Sequence, residues 1–139
     1  MKTDLPVKLQ LILKALRNTE SKQTKKSLQD DKGYCCLGLM CKVAENSGVK
    51  LDYASDTFIS GSSLRNQPEV ENWTGLHTYG FFDTDTVFFK DNVNCKIMNI
   101  PTSSLADLND ISNFTFAEIA DFIEDNWKHL FENNIKEPL

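Results

Sequence analysis

Three of the chain's four cysteines, Cys35, Cys36 and Cys41, crowd into the run KGYCCLGLMC that begins at Lys32. Thiols so placed could ligate a metal, form a redox pair or supply a nucleophile. Zinc sites need cysteines spaced two to four residues apart and a second pair, or histidines, at similar spacing. Here the side chains of the adjacent pair diverge, Cys95 lies far along the chain, and His77 and His129 are isolated. No metal site is expected. A thiol at a helix start is activated by the dipole, but nucleophilic catalysis also needs a base, and neither histidine stands in a recognisable context. Free cysteine otherwise packs as a small hydrophobe. The expectation is therefore a core role, with Gly38 admitting a close neighbour, no catalytic residue and no cofactor.

The residues best suited to hold a ligand lie just before that run. Lys22, Gln23, Thr24, Lys25 and Lys26 supply several donors, and free N–H groups at the start of the following helix would favour an anion. Tyr34 can stack, and Arg65, the only arginine besides Arg17, can fork onto a phosphate. Asn109 offers both donor and acceptor to a base or ribose edge. Plainer readings stand beside these: a solvated basic loop, a lone surface arginine, and an Asn-Asp turn shaped by side-chain to backbone bonds.

The charge pattern narrows the ligand. The net charge of −5 divides into ten Lys+Arg against five Asp+Glu over residues 1–50, and five against fifteen over residues 51–139. Duplex nucleic acid needs a broad cationic face, and only the first third is basic. A small anionic ligand fits, as does attraction between the two halves or between neighbouring subunits. The longest apolar run is far too short to span a bilayer, and the N-terminus lacks a signal-like apolar segment. A soluble intracellular protein of one domain, residues 1–139, is expected.

The elements that must position these residues follow from periodicity. Asp4 can cap a helix with Pro6 in its first turn, and Leu9, Ile12, Leu13 and Leu16 form its apolar stripe, leaving Lys8, Lys14 and Arg17 outside. Residues 25–29 and 34–35 read as short facing extended segments around the turn at Asp30–Gly33. A second helix starts at Cys36 and stops at Gly48. Residues 51–53 and 57–59 could be strands, Pro68–Trp73 a short helix, and 86–89 with 96–100 a hairpin. Ser104–Asp110 leads into a helix opened by a Thr115/Glu118 capping box and a Phe114 staple. No internal repeat is evident. The fold class is α+β: amphipathic helices at both termini and near residue 40 around a small antiparallel sheet.

The leading helix ending in Ala15-Leu16-Arg17, the Lys22–Lys25 segment, the run Gly33–Cys41, Leu108-Asn109-Asp110 and Phe116–Glu124 together resemble a family of small bacteriophage and prophage accessory proteins. The resemblance covers the first fifty residues and residues 105–124. It implies a counter-defence protein in the host cytoplasm. Such proteins include sponges that sequester a nucleotide-derived immune signal, a cyclic oligonucleotide or cyclic ADP-ribose, without cleaving it. A homo-oligomer would hold that ligand between subunits, with Lys22, Lys25, Lys26 and Arg65 on phosphates, Tyr34 stacking, and Gln23 and Asn109 on polar edges. The alternative is an acidic inhibitor of a host defence protein, with the −10 half able to mimic nucleic acid.

Overall fold

A computed structural model describes residues 5–54, 58–83, 86–87, 104–110 and 114–138. The first helix, α1, runs Val7–Asn18 and buries Leu9, Ile12, Leu13 and Leu16, the stripe its spacing predicts. Pro6 stands at the N-cap position rather than inside the first turn, and no side chain caps there. Asp4 lies outside the described residues. Arg17 leaves the stripe to fork onto Asp121 and Glu124, 2.8 Å to each carboxylate.

Lys8, outside that apolar stripe, is nonetheless buried. Its ammonium donates to the carbonyls of Trp73 (2.9 Å) and Asn134 (3.3 Å) and lies over the Trp73 ring. Trp73 falls in the last turn of α3 (Pro68–Thr74). A cation there answers carbonyls that have no partner within the helix.

The sheet is two-stranded and parallel, not antiparallel. β1 (Lys22–Gln23) pairs with β2 (Gly33–Tyr34), Lys22 opposite Gly33 and Gln23 opposite Tyr34. Gly33 permits this, since a Cβ there would lie 2.0 Å from the Lys22 carbonyl oxygen. The intervening loop doubles back, so Gln29 meets Tyr34 in one antiparallel bridge, the residue of the facing segments read from sequence.

Helix α2, Cys36–Asn46, begins where expected. Its end is a Schellman closure: Gly48, at φ 103°, donates to the Glu45 carbonyl and Val49 to that of Ala44. Gly38 admits the Leu28 carbonyl so closely that a Cβ would stand 1.8 Å from its oxygen. Of the expected strands at 51–53 and 57–59, the described residues form one bridge, Tyr53 to Ile59, and Thr57 lies outside them. The hairpin over 86–89 and 96–100 falls, beyond Val87, outside the described residues.

Helix α4 (Leu105–Asp110) leads to α5 (Phe116–Leu130), whose capping box is complete. Thr115 Oγ1 accepts from the Glu118 N–H at 3.1 Å, and Glu118 returns a carboxylate to the Thr115 N–H at 3.0 Å. α1 packs between α2 and α5, and α4 closes over α2 and α5. One core of aliphatic, aromatic and thiol side chains joins them. The architecture is thus the expected α+β, with the sheet reduced to a clasp.

Candidate functional site

The structure gathers Gln23, Thr24, Lys26, Tyr34 and Asn109, but chiefly to hold the fold. The buried Asn109 amide donates to the Thr24 carbonyl (2.7 Å) and to Asp110 Oδ1 (2.8 Å). Its oxygen accepts from Gln23 Nε2 (2.8 Å) and from the Cys36 backbone N–H (3.1 Å). Two donors and two lone pairs are an amide's full capacity. Gln23 Nε2 also donates to the Phe114 carbonyl at 2.6 Å. Thr24 is buried with its hydroxyl unpartnered. Lys22, Lys25 and Lys26 are exposed, and Lys26, at φ 70°, donates its N–H to Asp110. Tyr34 is half-buried against the core. Arg65 joins a different group, 5.1 Å from the centre of the Tyr79 ring.

The start of α2 does not present the free N–H groups expected of an anion site. Cys36 N–H goes to Asn109, Gly38 N–H to Cys35 Sγ (3.4 Å), and Leu39 N–H to the Cys35 carbonyl (3.1 Å). The three thiols are buried. Burial pushes the Cys35 thiol up to about 11, partly offset by the Gly38 N–H, and burial also raises those of Cys36 and Cys41. They remain protonated and packed, the state in which cysteine is inert. Among the described residues no three His, Cys, Asp or Glu side chains are placed to hold a metal ion.

The hollow with the composition of a ligand site lies elsewhere, between α1 and α2. It measures about 510 Å³, within the usual range for small-molecule sites. Leu11, Ala15, Leu39 and Val43 line it with apolar surface, and Lys14, Lys42, Asn18, Asn46, Thr19 and Ser47 add charge, amides and hydroxyls. Lys14 is exposed with no ion pair among the described residues. Lys42 is held by Glu45 at 2.6 Å, and Tyr53 donates to the other oxygen of that carboxylate. The Lys42 partner lowers the Glu45 pKa first, the tyrosine second, while Glu45 in turn raises that of Lys42.

None of the eight residues picked from sequence lines this groove, yet a sequence signal for it exists. Leu11-x-x-Lys14-Ala15-x-x-Asn18-Thr19 recurs as Leu39-x-x-Lys42-Val43-x-x-Asn46-Ser47. The match extends to the opposite face, where Leu9, Ile12, Leu13 and Leu16 correspond to Leu37, Met40, Cys41 and Ala44, all buried. So α1 and α2 share one residue pattern on both core face and groove face.

Two further hollows are less suited to an organic anion. One, of about 640 Å³, is lined by Lys8, Lys50 and Trp73 but also by Glu69 and Glu137. The other, about 320 Å³, is bordered by Glu71 and Glu132. Among the described residues no helix is long and apolar enough to cross a membrane.

A family model described as Domain of unknown function (DUF8296) matches residues 4–127, and the chain belongs to that family. No curated protein and no solved structure matches it.

Proposed function

We propose that this member of the family is a binding protein that sequesters a small nucleotide-derived anion in the groove between α1 and α2 without cleaving it. The observation that carries the reading is the groove's composition. Its aliphatic surface can lie against the face of a base, Asn18 and Asn46 can answer base or ribose edges, and the ammonium of Lys14 is available to a phosphate. The surrounding first third of the chain is its basic part, which favours encounter with an anion. The phage resemblance gives such binding a purpose, removal of a host immune signal in the host cytoplasm. A homo-oligomer could complete the groove from its open side.

The protein-binding alternative relies on the acidic half. Two acids of α5, Asp121 and Glu124, are engaged by Arg17, which reduces the negative face available for mimicry. The test is incubation of the purified protein with cyclic oligonucleotides and cyclic ADP-ribose isomers, followed by denaturation and analysis of what is released. Depletion of a ligand and its recovery intact supports a sponge. Recovery of a cleaved product means an enzyme, and no depletion overturns the reading.

A further inference from the structure

The two walls of the groove carry the same groups in the same order. Each presents Leu, Lys, a small apolar residue and Asn at helical spacing, and each ends in a hydroxyl residue, Thr19 or Ser47. Both helices turn their matching apolar faces into one core, so the groove faces are set by the same rotation about each axis. A ligand spanning the groove meets one lysine and one asparagine on either side. Resting on the nucleotide-binding reading above, we propose that the ligand itself has two equivalent halves, as in a cyclic dinucleotide. Each half carries one phosphate and one base, and each finds a Lys and an Asn on its own wall. A mononucleotide would satisfy one wall and leave the other in water.

Beside the groove the two helices differ in charge at one pair of positions. Where α1 has Arg17, directed to Asp121 and Glu124, α2 has Glu45, which holds Lys42. The α2 wall therefore gives up part of its cationic field to its own carboxylate. Replacing Glu45 by Gln releases Lys42 and makes the walls alike.

The experiment is calorimetric titration of the full chain with cyclic di-AMP and cyclic di-GMP, and with AMP and GMP as half-sized probes. One cyclic dinucleotide is expected to bind at least about tenfold more tightly than its mononucleotide. Asn18→Ala and Asn46→Ala should weaken it by similar factors, and Glu45→Gln should tighten it. These side chains are exposed or half-exposed at the groove, and circular dichroism is to be recorded for each variant to check that it folds. Equal affinity for the mononucleotide, or loss from one asparagine alone, overturns the two-fold inference while leaving a nucleotide-binding groove. Binding of neither ligand class, with cyclic ADP-ribose also inert, overturns the nucleotide reading itself.

Discussion

The side-chain oxygen of Asn109 accepts the backbone N–H of Cys36 at 3.1 Å, across 73 positions of sequence. That bond occupies the first N–H of α2 and ties the helix to α4. It also explains why the region richest in cysteine and lysine is a structural knot. Substituting Asn109 by Ala strands the Cys36 N–H and removes the Asn109 partner of the Thr24 carbonyl, and leaves the Gln23 amide with the Phe114 carbonyl alone. The expected cost is about 3 kcal/mol, seen as a large drop in the denaturation midpoint. Lys22→Ala, on the exposed rim of the same loop, should change stability by less than about 0.5 kcal/mol. Equal effects of the two would remove Asn109 from its central place.

Gly38→Ala tests the contact between the β1–β2 loop and α2. In a free helix alanine is better than glycine by about 1 kcal/mol. Here the new methyl would meet the Leu28 carbonyl oxygen at 1.8 Å, so the loop must move. Net destabilisation of about 2 kcal/mol is expected, with altered backbone amide shifts for residues 24–32. Stabilisation would show that the loop does not rest on the helix.

The helices were readable in the sequence because each buries a stripe that repeats at 3.6 residues and carries its own punctuation, Gly48 and the Thr115/Glu118 box above all. The burial of Lys8 is not legible there, because periodicity reports which face is apolar. It does not report that the end of α3 and the chain at Asn134 will each bring a carbonyl to that position. The parallel clasp is not legible in the sequence because a nine-residue loop rarely joins parallel strands, and the close approach at Gly33 makes it feasible. Asn109 was noticed, but its four partners come from distant segments that local spacing cannot specify. The groove is illegible for another reason: its signal lies in a comparison of two helices, not in any one local run.

Lys8→Met keeps the stem's volume and removes the charge. The carbonyls of Trp73 and Asn134 lose their donor, so a loss of about 2 kcal/mol is expected, with fraying at the end of α3 visible by hydrogen exchange. Unchanged protection of Trp73–Gly75 would contradict the capping role.

The thiols set an alkaline limit on stability. A group whose pKa is raised by folding keeps its proton in the native state, so its contribution is complete below the unfolded value and vanishes as pH climbs through the folded one. For Cys35 that window runs from its ordinary value of 9.0 to about 11, and Cys36 and Cys41 act in the same direction. The urea midpoint should fall across that window, and substituting Cys35 by Ala should flatten the fall. At neutral pH iodoacetamide should label the cysteines at 35, 36 and 41 only after denaturation. Rapid labelling of any of them in the native protein would refute their burial.

The central claim, a nucleotide held in the groove between α1 and α2, is tested most directly by equilibrium dialysis of the wild-type chain, Lys14→Glu and the double variant Lys22→Glu with Lys26→Glu against cyclic dinucleotides. The account predicts saturable binding to the wild type, loss of at least about tenfold in affinity for Lys14→Glu, and a smaller, salt-sensitive loss for the double variant. Full retention by Lys14→Glu, with binding abolished in the double variant, would place the ligand on the basic loop instead and contradict the account.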